Sequence, residues 1–304
     1  VFFAVWWLAR HQLSEPWQVR WVFDLDQAKK FLRFGMVWGS AMLAGFLITQ
    51  FDNFLVGTFV GLTTLGYYDR AYRFASWPTL LVTNVVARTS FFAYARLQND
   101  PVRLAKTLDM TIWIITSLAL PLALAIFVTA PDLIAFLLGD PWLPSAIFLR
   151  CLIIVSLFRP LQDDLSGLLI ALNKPYLISL SAWIQASIVI IAATLLTFAY
   201  GAVGTAIGVG IGFAIGCAVY YFWVARFVKT LRFSSVALPV GAALLTLFLY
   251  LGVAEWMEWN SLDLLLRLGL KAAFTLFTFY AIILIAQPKQ FLERTRYLWR
   301  LARG

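Results

Sequence analysis

Eight hydrophobic stretches, at about 34–59, 67–92, 108–130, 145–171, 176–199, 202–224, 236–254 and 264–286, occupy almost the whole chain after Phe34. A helix of about 20 apolar residues crosses a hydrocarbon core. Eight in succession, joined by short loops, cannot form the interior of a soluble domain, and the 62% hydrophobic content agrees. The fold class expected is an all-α polytopic membrane protein with eight complete transmembrane helices. Lipid offers no hydrogen bonds, so every polar residue inside a span requires an account.

The connections leave no room for a sizeable extramembrane domain. Val1 to Ala9 is a short apolar run followed by Arg10-His11, too short to span and without the basic start of a signal peptide. It reads as the cut end of a preceding helix, and 10–33 as a cytoplasmic linker. Cys151 and Cys217 both fall inside spans, where a cysteine packs as a small hydrophobe. With a single histidine, His11, no metal site can be assembled and no cofactor is expected.

The net charge of +9 is topogenic. Of the 24 Lys and Arg, 17 lie on one side: Arg10 to Arg33, Arg96 to Lys106, Lys174, Arg226 to Arg232, and Lys289 to Arg303. The opposite connections, near 60–66, 131–144, 200–201 and 255–263, hold none, and carry Asp132, Asp140, Glu255, Glu258 and Asp263. This asymmetry places the basic side, and the C-terminus, in the cytoplasm. Nucleic acid is not an expected partner; the lipid bilayer is. The tail 288–304 sets Phe291, Leu292, Leu298 and Trp299 on one helical face and basic residues around them, which suits the anionic cytoplasmic leaflet.

Seven basic residues remain within or beside spans: Arg70, Arg73, Arg88, Arg150, Arg159, Arg267 and Lys271. Each costs at least about 2.5–3.5 kcal/mol at mid-membrane, so each should meet water or a counter-charge. Along the second span, Arg70 and Arg88 return to one helical face, with Asn84, Arg73 and Trp77 close to it and Pro78 kinking the stripe. The bland account is an Asp69–Arg73 pair with snorkelling at both ends. In the fourth span, Arg159-Pro160-Leu161-Gln162-Asp163-Asp164 is the most polar intramembrane stretch, and Arg159 could neutralise Asp163 at i,i+4. Asp52-Asn53 occupies the outer half of the first span. These charges should therefore face a wet interior or one another, and Asp52, Asp163 and Asp164 are candidate ion-coupling residues. In the sixth span Gly204, Gly208, Gly212 and Gly216 recur every four residues, a groove for close helix packing.

The stretch Leu65-Gly66-Tyr67-Tyr68-Asp69-Arg70-Ala71-Tyr72-Arg73, followed by Trp77-Pro78, resembles the polysaccharide (O-antigen-type) flippases of the multidrug/oligosaccharidyl-lipid/polysaccharide exporter superfamily. Pro131 to Trp142 is similar to that family's segment between a helix end and the next span, Asp100-Pro101 to a short cytoplasmic turn, and Leu169 to Pro175 to a cytoplasmic helix end. The resemblance implies two six-helix bundles around a cavity, with two further helices. Residues 34–230 would be the second bundle, 231–287 the two additional helices, and the first bundle would precede Val1. It also implies an anionic, polyprenyl-pyrophosphate-linked oligosaccharide as substrate, carried across the bacterial cytoplasmic membrane by alternating access, which makes Arg70, Arg73, Arg88, Arg150 and Arg159 the candidate substrate-binding residues. Polysaccharide polymerases and glycosyltransferases are the implied partner enzymes.

Two other classes fit these residues less well. A drug exporter of the same superfamily favours an apolar cavity with isolated carboxylates, whereas arginines predominate here. A membrane sugar polymerase or ligase needs acid/base groups in a large external loop, and these loops are short and lack histidine. The chain is not expected to be an enzyme.

Overall fold

The computed structural model describes residues 24–228, 234–256 and 262–286, together with Trp7, Trp259 and Pro288. The expected helix end at Val1 to Ala9, most of the 10–33 linker, and the basic tail beyond Pro288 lie outside the described residues. Contacts divide the chain into Val1–Gly39 and Ser40–Gly304.

Among the described residues every regular element is a helix. Helix α1 runs Leu25–Leu55. Its N-terminus is capped by Asp24, whose Oδ1 accepts the amides of Asp26 at 2.9 Å and Gln27 at 3.2 Å. Residues 25–33, read from sequence as linker, are thus helical, because the Asp24 cap precedes the apolar run. The helix ends in a π-helical turn, Val56–Val60, halted at Gly61 with φ 124°. Then follow α2 (Leu62–Ala75), α3 (Trp77–Leu97), α4 (Pro101–Leu138), a 3-10 turn (Asp140–Trp142), α5 (Ser145–Leu152), α6 (Val155–Ala171), α7 (Pro175–Phe227), α8 (Ser234–Trp256) and α9 (Leu264–Ala286).

The expected second span is broken at Ser76, just ahead of Pro78, so α2 and α3 are two pieces of one path. Proline cannot donate to the carbonyl four residues earlier, which loosens that turn. The Ser156 hydroxyl of α6 donates to the Ala75 carbonyl at this break. The expected fourth span is likewise divided at Ile153-Ile154 into α5 and α6.

Helix α4 is the hub, packed by α3, α6, α8 and α9. Its most apolar window is 67% buried, against 28% for α8 and 17% for α9. It extends to Leu138, past the expected end of the third span, so most of the anticipated 131–144 loop is helix and only the turn from Gly139 remains. Two prolines inside α4 each release a carbonyl four residues upstream. Tyr280 Oη of α9 donates to the Ser117 carbonyl freed by Pro121, at 3.2 Å. Arg150 Nε of α5 donates to the Phe127 carbonyl freed by Pro131, at 3.3 Å. The prolines thus create the acceptors that neighbouring helices fill.

Helix α7 has 53 residues, about 80 Å at 1.5 Å per residue, far more than one crossing. Gly201, at φ 61° and ψ −146°, reverses it. A Cβ on Gly208 would lie 2.5 Å from Ala193 Cα, one on Gly212 would strike Val189, and one on Gly216 would strike Gln185. The pairing descends as the glycine number rises, so the halves are antiparallel and the glycine face touches the first half of the same helix. Thr197 and Thr205 close the turn with a 2.7 Å hydrogen bond. Among the described residues, six helical stretches are long and apolar enough to cross a membrane: Trp38–Val60, Pro101–Leu138, Ser145–Ala171, Pro175–Phe227, Val236–Trp256 and Leu264–Ala286.

Candidate functional site

The broken path α2–α3 presents one face outward from the described helices. Trp77, Leu80, Leu81 and Asn84 are exposed along it, and Arg73 is 66% exposed. The Arg73 guanidinium is held by Asp69 at 3.0 Å, the i,i+4 pair expected from spacing. Arg88 falls on this face by helical position; its side chain lies outside the described residues. Arg70 stands at the other end, 5.8 Å from the ring centroid of Trp142, which itself meets Tyr67 edge-on at 5.7 Å. These aromatic contacts hold Arg70 beside the Gly139–Trp142 turn.

Arg159 comes to the same region from α6. It lines a small pocket with Tyr72 of α2, Ser76 at the break and Thr79 of α3. The local chain makes this geometry. Pro160 weakens α6 one residue beyond Arg159, and the α2–α3 break sets hydroxyls on both sides of it. The expected Arg159–Asp163 ion pair is not among those within 4.0 Å of the described residues. Asp163 accepts from Thr83 Oγ1 at 3.2 Å.

Asp164 is buried, and Tyr94 Oη donates to it at 2.8 Å. Both bonds tie α6 to α3 across the interior. Asp52 is fully buried one turn before the π-helical segment, held by Tyr68 Oη at 2.9 Å and by the Asn53 amide at 2.8 Å. Three carboxylates therefore rest on hydroxyl donors. None has a Lys or Arg within 4.0 Å among the described side chains. The structure does not bring Asp52 together with Asp163 and Asp164. They sit in separate packing clusters, Asp52 near Tyr68 and Asp164 near Tyr94.

Arg150 lies on α5 against Phe127, with its guanidinium 5.8 Å from the centroid of that ring.

Sequence reasoning missed one constellation. Asp132, expected in an outer loop, is 3% exposed inside α4. Arg267 Nε meets its Oδ1 at 2.7 Å and Lys271 Nζ meets its Oδ2 at 2.8 Å. Trp259 is 5.5 Å from Lys271, centroid to Nζ. The available signal was that Arg267 and Lys271 share a helical face without a carboxylate on their own helix.

An all-helical chain with these apolar spans and with charges buried between them is a multi-pass membrane protein. A family model described as polysaccharide biosynthesis protein matches residues 2–147. The teichuronic acid biosynthesis protein TuaB of Bacillus subtilis is 27% identical over 284 residues, covering 90% of this chain and 58% of that one. The lipopolysaccharide biosynthesis protein WzxC of Escherichia coli is 24% identical over 149 residues, 49% of this chain and 30% of that one. Among solved structures, the lipid II flippase MurJ in an inward closed conformation superposes with a TM-score of 0.70 at 16% identity, covering 90% of this chain and 57% of that one. The sequence matches make the chain similar to polysaccharide biosynthesis proteins, and the superposition shows that it shares the fold of the MurJ region it covers. The chain spans at most 58% of these relatives.

Proposed function

We propose that the protein carrying this chain moves a polyprenyl-pyrophosphate-linked oligosaccharide across the bacterial cytoplasmic membrane by alternating access. The observation that carries this reading is the outward face of α2–α3. At membrane depth it presents Arg73, Asn84 and the Arg88 position, and such groups are costly against lipid. They belong on a wet path. Arg70 and Arg159 flank it, and guanidinium suits bidentate contact with phosphate. Asp52, Asp163 and Asp164 are the candidates for a coupling proton or cation. Residues 34–230 would form a six-helix bundle, with α7 crossing twice and α2–α3 once, and 231–287 two further helices, eight crossings in all. The C-terminus would be cytoplasmic, and polymerases or glycosyltransferases would act before and after transport.

Topology is testable by single cysteines in a chain lacking Cys151 and Cys217. At the exposed positions Leu62 and Trp256, and at Pro141 and Tyr200, they should label from the periplasm; at Gln98 and Lys174, only after permeabilisation. One reversed position would break the alternation.

For the site, the assay is periplasmic arrival of labelled oligosaccharide in the host. Arg159→Gln with Asp163→Asn should keep normal abundance and lose transport. Arg88→Gln should do the same, and Arg88→Lys should recover only part, because the bidentate fork is missing. Wild-type transport in both neutralised variants would remove the anionic path.

A further inference from the structure

A cavity of about 390 Å³ lies between α4, α6 and α8. Apart from Thr116, its wall is wholly apolar, including Leu120, Leu124 and Phe127 of α4, Leu157 and Leu161 of α6, and Leu244 of α8. It opens sideways, since Leu244 lines it and is 64% exposed, with Phe248 and Leu251 exposed next along the same side of α8. A buried apolar wall with a lateral mouth in a membrane helix is accessible from the lipid phase.

Charge gathers at one end. Phe127, Ile153 and Leu247 line the slot. Arg150 sits three residues before Ile153 and bonds the Phe127 carbonyl through Nε. Tyr250 sits three residues after Leu247 and lies within electrostatic range of both Arg150 and Asp132. Because α5–α6 and α8 run in opposite directions, both offsets point toward the same end. Beyond it stand Arg267 and Lys271, two cations sharing the one carboxylate of Asp132. Arg150 is exposed, and its Nε bond leaves the Nη donors to a further acceptor.

We propose that this slot holds one acyl chain of an anionic bilayer phospholipid, with the lipid phosphate on Arg150. A phosphate takes two parallel donors from a guanidinium, and the surplus positive charge of the neighbouring triad favours an anionic headgroup over a zwitterionic one. At roughly 30 Å³ per water-sized group, the volume takes on the order of a dozen methylenes, one chain and not a long polyprenyl tail. Arg150 is thereby assigned to a resident lipid and not to the transported pyrophosphate.

The test is native mass spectrometry of the purified full chain in mixed micelles with phosphatidylglycerol or phosphatidylcholine. The wild type should retain phosphatidylglycerol about five-fold over phosphatidylcholine, a preference that one basic residue at a membrane surface supplies. Arg150→Gln should retain both lipids about equally, the slot being intact while the charge is gone. Leu244→Trp, which closes the mouth at an exposed position, should retain neither. Ala243→Phe, which fills the slot from within, should match it. Equal retention of the two lipids by the wild type would overturn the proposal, as would unchanged retention in both slot variants. Displacement of phosphatidylglycerol by an equimolar polyprenyl phosphate would assign the slot to the carrier lipid and also overturn it.

Discussion

Asp132→Asn is expected to be among the most damaging single substitutions in the chain. The carboxylate is shared by Arg267 at 2.7 Å and Lys271 at 2.8 Å, and its side chain is 5% exposed. Neutralising it leaves two cations in a site with little water, and breaking a buried pair from one side costs about 3–5 kcal/mol. Unfolding in detergent should fall by roughly 10 °C at that cost. Lys271→Met should be much milder, because Arg267 still neutralises Asp132. Replacing all three, with Asp132→Asn, Arg267→Gln and Lys271→Met, should return most of the loss, since a neutral set avoids the unpaired ions. If Asp132→Asn unfolds at the wild-type temperature, the triad carries no stability and the docking of α9 on α4 has another cause.

Gly208→Leu should abolish folded protein in the membrane. A Cβ alone would lie 2.5 Å from Ala193 Cα and 2.6 Å from its backbone nitrogen, atoms that cannot rotate away. The two halves of α7 would have to separate, undoing the contacts of Gly204, Gly212 and Gly216 together. Overpacking by a few methylenes already costs about 1–3 kcal/mol where side chains can adjust. Here the obstacle is backbone, so Gly208→Ala should itself lower the monodisperse fraction on size exclusion, and Gly208→Leu should eliminate it. Gly252→Ala is the matched control, because nothing lies within 4 Å of its added Cβ. A monodisperse, correctly inserted Gly208→Leu protein would contradict the antiparallel packing of α7.

Much of the helical layout was legible because a crossing imposes a length. Six long apolar helices appear where hydropathy put them, and the glycine period announced a close approach before its partner was known. What sequence could not give was which surface met those glycines. The partner proved to be the preceding half of the same helix, after a reversal at Gly201 that composition alone marks only as a loop. The candidate site was legible in part. Arg73 pairs with Asp69 as its spacing predicts, since both lie on one helix. Asp163 turns instead to Thr83, because α3 packs beside α6 and offers a hydroxyl. Asp132 was misplaced because Pro131 reads as a helix end, whereas α4 continues through it and Arg150 donates to the carbonyl of Phe127 that the proline releases.

By itself, then, the sequence determined an all-helical membrane chain, the break of its second span near Pro78, and the presence of charges that lipid would not tolerate. These follow from local rules: the length of a crossing, the missing amide of proline, and the cost of an ion in hydrocarbon. Tertiary structure alone decided which charges meet between helices. Asp132 finds Arg267 and Lys271 only when α9 packs on α4, and Asp164 finds Tyr94 only when α6 packs on α3. Partners so far apart in the chain are chosen by the packing of whole helices, and no periodicity within one helix records that choice.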